Sequence, residues 1–108
     1  MGEILNAGMQ WRGYNTPDPN NSYTTTTAGE ALTQAFTQTV NRVVVYNQGA
    51  VPLYVKFGGT AAAEDNYDVV LPPLTGIAGG LNTNAVSVYS ANDAQVYLGG
   101  FREDNTAP

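Results

Sequence analysis

The densest set of oxygen-bearing side chains in the sequence is Glu64-Asp65-Asn66-Tyr67-Asp68. Oxygen ligands at such close spacing are what a Ca²⁺ ion takes from a flexible loop. The spacing matches no EF-hand loop, because the central Gly and the closing Glu are missing. A solvated loop is the first reading, and a calcium site is the alternative. Paired carboxylates could also hydrolyse a glycoside, but nothing in the order of residues sets two of them across a cleft. Ser22, Ser87 and Ser90 have no base partner in the sequence pattern to make a nucleophile of any of them. The chain has no Cys and no His, so it lacks a thiolate, the commonest metal ligand and the usual general base near neutral pH. Gly58-Gly59-Thr60 is followed by neither the Lys nor the helix of a phosphate loop, and Asn20-Asn21-Ser22 is a chance match to a glycosylation acceptor. No enzyme activity, cofactor or metal is expected.

Charge narrows the partners. The net charge is −5, and Arg12, Arg42, Lys56 and Arg102 are the only basic side chains. They form no stripe that could neutralise a phosphate backbone, so neither nucleic acid nor an anionic membrane is an expected partner. No apolar run approaches the length of a membrane span. Met1 to Asn6 has neither the basic nor the apolar region of a signal peptide, so a soluble product made in the cytoplasm is expected.

What remains is side chains suited to protein contact. Met9-Gln10-Trp11-Arg12-Gly13-Tyr14 gathers Met9, Trp11, Arg12 and Tyr14 within six positions, a set that dominates interface energetics where it is buried. The segment reads either as a first strand over the domain's own core or as a docking segment for a neighbouring subunit. Tyr54, Tyr89 and Tyr97 fall on outward positions of short alternating runs, and Tyr46 can join them. Rings so placed serve cross-strand pairing, a protein interface or a sugar-binding platform.

The elements that must position these groups are strands. Val43 to Tyr46, Leu53 to Phe57, Val69 to Leu71, Ala85 to Tyr89 and Gln95 to Leu98 are short runs rich in Val and Tyr, closed by Gly, Pro, Asn and Asp. Leu53, Val55, Phe57, Val86, Val88, Val96 and Leu98 should point inward, with Tyr54, Lys56, Ser87, Tyr89, Gln95 and Tyr97 outward. Leu32 to Gln38 reads as a further strand, with a short helix through Gly29 to Leu32 as the competing reading. Asn47 to Ala50 and Ser90 to Ala94 read as hairpin turns, with Gly49 suited to a positive φ. Pro72-Pro73 and Gly76 to Gly80 bracket the longest internal connection. At 108 residues this makes one all-β domain, a β-sandwich of about six to seven antiparallel strands in two sheets.

The division falls near residue 31. Residues 1–31 read as an extended N-terminal arm and residues 32–108 as the β-sandwich domain. Asn15 to Ser22 carries two prolines and several Asn, which forbid a helix. Ordering about thirty such residues costs about 30–60 kcal/mol of backbone entropy, with few apolar groups to offset it. The arm is therefore expected to stay mobile or to lie over another subunit.

Val43 to Ala61 resembles a pattern of small tailed-phage virion proteins, in which a strand ending in Asn-x-Gly, a Pro-Leu-Tyr-Val strand and a Phe-Gly turn come in succession. A second half follows here as Val70-Leu71-Pro72-Pro73, Ala85 to Tyr89 and Val96-Tyr97-Leu98, so that the resemblance covers about residues 40–101. It implies a capsid decoration (cement) protein, with a β-sandwich or jelly-roll fold. Such proteins sit as homotrimers on the outer surface of the virion shell, bind the major capsid protein and reach over its neighbours with an N-terminal arm. Met9, Trp11, Arg12, Tyr14, Tyr54, Tyr89 and Tyr97 are the residues expected to make those contacts. A head-fibre or tail-associated module that binds host-surface glycan is the alternative.

Overall fold

A computed structural model of the chain describes residues 15–103. These form seven strands: β1 (Asn15–Pro17), β2 (Ser22–Thr25), β3 (Leu32–Asn47), β4 (Leu53–Phe57), β5 (Val69–Leu71), β6 (Thr75–Tyr89) and β7 (Gln95–Glu103). All pairings are antiparallel, in one sheet ordered β1-β7-β3-β6-β4-β5, with β2 also on β7. The expected all-β antiparallel class is what the chain adopts, and no helix occurs among the described residues.

The two long strands organise the sheet. The first part of β3 (Leu32 to Ala35) pairs with the end of β6, and its last part (Arg42 to Asn47) pairs with the start of β6 and also with β7. Register shifts between Ala35 and Val40 and between Val40 and Arg42 separate the two parts. Such irregularities bend a strand and increase its twist. The sheet curls as a result, and the inner faces of both parts contribute to one core: Val43, Val45, Val96 and Leu98 from one side, Leu53, Val55, Leu71, Val86 and Val88 from the other. The expected inward residues are all there, with Phe57 partly buried against them.

The structure corrects five readings. Asn47 to Ala50 is no hairpin, because β6 lies between β3 and β4; Ser90 to Ala94 is none either, because β3 lies between β6 and β7. The two turns instead lie close together, the Gln48 amide donating to the Gln95 carbonyl (2.9 Å). Gly49 does not need a positive φ; those occur at Gly29 (74°), Gly58 (93°) and Leu74 (59°). What Gly49 supplies is room, since a Cβ there would lie 2.6 Å from Ala94 Cβ. Gly76 to Gly80 is not a connection but the first half of β6. Finally, Ser87 does not face solvent. The β4–β5 loop folds over it, and its hydroxyl accepts a 2.9 Å bond from the Ala62 amide.

The polar tract before residue 31 is also part of this sheet where it is described. β1 and β2 both lie along β7, and the turn between them is held by side-chain bonds in place of apolar burial. Asn21 donates to and accepts from Gly100 (2.9 and 2.8 Å), Asn20 donates to the Ala35 carbonyl (2.9 Å), and Gln34 donates to the Asn20 carbonyl (2.7 Å).

Candidate functional site

Two groups of tyrosines stand on the outer surface, each centred on a cross-strand register pair. Tyr54 of β4 is the direct partner of Tyr89 of β6, their ring centroids 6.2 Å apart. Tyr67, from the β4–β5 loop, brings its ring to 5.3 Å from Tyr54. On β2 and β7, Tyr23 and Tyr97 are register partners, 5.0 Å apart and tilted. Tyr97 is in turn opposite Tyr46 of β3. The rings of Tyr46 and Tyr97 lie over strand glycines: a Cβ on Gly76 would meet the Tyr46 ring at 2.6 Å, and one on Gly99 the Tyr97 ring at 2.7 Å. Tyr54, Tyr89 and Tyr97 are half-buried, whereas Tyr23 and Tyr67 are 63% and 44% exposed.

The outward placement expected for Tyr54, Tyr89 and Tyr97 thus holds, but Tyr54 and Tyr89 belong to one group and Tyr97 to the other. Met9, Trp11, Arg12 and Tyr14 lie outside the described residues. Two exposed rings were missed. Tyr23 sits in Ser22-Tyr23-Thr24-Thr25, an alternating strand pattern hidden within what reads as an arm. Tyr67 sits in the acidic loop, where no periodicity marks it.

That loop is structural. Asp68 accepts from the Phe57 amide (2.9 Å) and from Lys56 Nζ (3.3 Å). The Phe57 amide bond first, then Lys56, hold its carboxyl below the ordinary value of 3.8 against the opposing effect of burial. Asn66 and Ala63 close a tight turn by paired backbone bonds. Among the described residues no three acidic groups come together as a metal site.

Asp18 is the more consequential carboxylate. It is buried, without a basic side chain among its hydrogen-bond partners, and accepts from the Asn20 amide (3.0 Å), the Thr37 amide (2.9 Å) and the Thr37 hydroxyl (2.8 Å). Burial raises its pKa, but the bonds from Asn20, Thr37 and Gln38 together outweigh burial and set it below 3.8. Asp18 therefore pins the β1–β2 turn to the bulge of β3. Because it is more acidic folded than unfolded, its contribution is fully present above about pH 4 and is lost as pH falls through the folded value. Asp18→Asn is expected to lower stability by about 1–3 kcal/mol at pH 6. It should also flatten the loss of stability between pH 4 and pH 2, read as urea midpoints across that range.

Comparison with protein-family models, with curated proteins and with solved structures gives no match.

Proposed function

We infer that this chain is a non-enzymatic structural protein of a phage virion, decorating the outer surface of the shell by binding the lattice of the major capsid protein. The curled sheet is read as a sandwich whose two halves share β3 and β6, and the copies as homotrimers. The observation that carries this reading is the pair of outward tyrosine groups on a small all-β unit. Tyr offers large contact area at low ordering cost and is enriched at protein interfaces. A decoration protein acts through many copies, each with a modest interface, so the lattice gains by multivalency what one site lacks. The acidic balance of the chain agrees with a surface that does not hold the packaged nucleic acid.

The test is co-sedimentation with empty shells that lack the protein. The full chain is expected to bind in a fixed ratio to capsid subunits, and Tyr54→Ser with Tyr67→Ser to weaken binding by about tenfold or more. A deletion measuring the N-terminal segment should stop at residue 14, because β1 and β2 belong to the sheet. If the full chain does not sediment with shells, the decoration reading is wrong.

A second reading, host-surface glycan binding by a head-fibre or tail module, is favoured by the paired rings of Tyr54 and Tyr67, the latter next to Asn66 in the chain. A chain that ignores shells but binds a glycan, and loses it with Tyr67→Ser, would establish that alternative.

A further inference from the structure

One long edge of the sheet is open. β6 is paired with β3 along its first half, but on its other side β4 begins only opposite Val86. Among the described residues, Thr75 to Thr83 has no strand on that side. The backbone phase of this edge follows from β7. Gly100 N–H and C=O bond to Asn21 and Asp18, away from β3, so Gly99 and Phe101 face β3. By alternation, Arg42, Val44 and Tyr46 bond to β7, while Val43 and Val45 bond to β6. Their partners are Gly79 and Ile77. The N–H and C=O groups of Gly76, Ala78 and Gly80 therefore point outward along an exposed edge, with no strand partner among the described residues. An open row of this kind is a template for another strand.

Beside this edge the inner face is also incomplete. Val43, Phe57, Ile77, Gly79 and Leu81 line an apolar groove of about 280 Å³, and Leu81 is 38% exposed. A Cβ on Gly79 would meet no atom within 4 Å, so the hollow lies directly over that glycine. An extended segment laid on the edge would bury alternate side chains here, as in recognition by strand addition.

We propose that the occupant is Met9 to Tyr14 of a second copy of this chain, added as a strand along Gly76 to Gly80, with Met9 and Trp11 in the groove. The segment alternates as the site requires: Met9 and Trp11 fall on one side, Gln10, Arg12 and Tyr14 on the other. Trp11 over Gly79 repeats what the fold does with Tyr46 over Gly76 and Tyr97 over Gly99. The chain's own segment does not reach. It connects to the described sheet at Asn15 on β1, and strand order puts β7, β3 and β6 between β1 and the open edge. Four inter-strand steps span about 19 Å, whereas the four residues from Trp11 to Asn15 extend at most about 14 Å. Within the decoration reading, this exchange joins copies to each other and leaves the tyrosine groups for the shell. The inference does not depend on that reading, because its test contains no capsid.

The test is sedimentation velocity of the full chain over a wide concentration range, with emission of its sole tryptophan, Trp11, recorded at each concentration. Concentration-dependent association is expected, with Trp11 emission at shorter wavelength in the associated form. Two variants act on the acceptor edge alone. Ala78→Pro removes one outward N–H while leaving the bonds to β3. Gly79→Val fills the hollow, where a Cβ meets no described atom within 4 Å. Both are expected to keep the native circular dichroism and to raise the dissociation constant at least about tenfold, returning Trp11 emission to that of exposed indole. A chain that is monomeric throughout, association untouched by both variants, or a blue-shifted Trp11 in the monomer would each overturn the proposal.

Discussion

Asn47→Ala is expected to destabilise the chain by about 2–4 kcal/mol, seen as a lower urea midpoint with an unchanged slope. Asn47 ends β3 with its side chain fully buried. Its amide nitrogen donates to the carbonyls of Val51 (2.9 Å), Leu71 (3.0 Å) and Pro72 (3.3 Å), and its oxygen accepts from the Gly49 amide (2.8 Å). One side chain thus closes the turn after β3 and ties it to the end of β5. Removing it strands the Leu71 carbonyl away from water and leaves the part-buried Gly49 amide without its acceptor, and an unsatisfied buried group costs on the order of 1–3 kcal/mol. Asn47→Asp is the informative companion. It keeps the acceptor for Gly49 but loses the donors, and it puts a carboxylate where only carbonyls face it. An Asn47→Asp variant as stable as the parent would show that the donor bonds contribute nothing.

Leu98→Ala is the second large effect, about 2–5 kcal/mol, or a fall in Tm of at least roughly 8 °C for a chain of this size. Leu98 is fully buried in the core cluster. It stands opposite Val45 on β3 and Ser22 on β2, so three strands meet at its position. The cavity left by truncation is walled by backbone that is hydrogen-bonded on both sides, which limits collapse and sets the cost in the upper part of the range. Leu98→Met, which conserves volume, should cost less than about 1.5 kcal/mol. Thermal unfolding of the two variants side by side separates lost packing from lost chain identity.

These effects show how far residue order carries. Alternation by itself placed Leu53, Val55, Val86, Val88, Val96 and Leu98 inward and Tyr54, Tyr89 and Tyr97 outward, because a strand has only two faces and water selects between them. It also supplied the all-β class and the limits on chemistry that come from having no Cys or His. Strand neighbours were beyond it. Asn47-Gln48-Gly49 carries the local signature of a hairpin, yet β6 enters between the strands it joins, and nothing local encodes an intruder from thirty residues away.

The same cause hid the tract Asn15 to Thr25 and the run Gly76 to Gly80. Both look like connection, one polar and one glycine-rich. The first is held by Asp18, Asn20 and Asn21 bonding to β3 and β7, the second by pairing with β3 and by the Tyr46 ring over Gly76. Single residues set which face is wet, since that depends on side-chain chemistry and a period of two. Only the tertiary structure decided which strands adjoin, which edge is left open and which tyrosines share a surface, because those follow from long-range pairing in which each partner is supplied by a distant part of the chain.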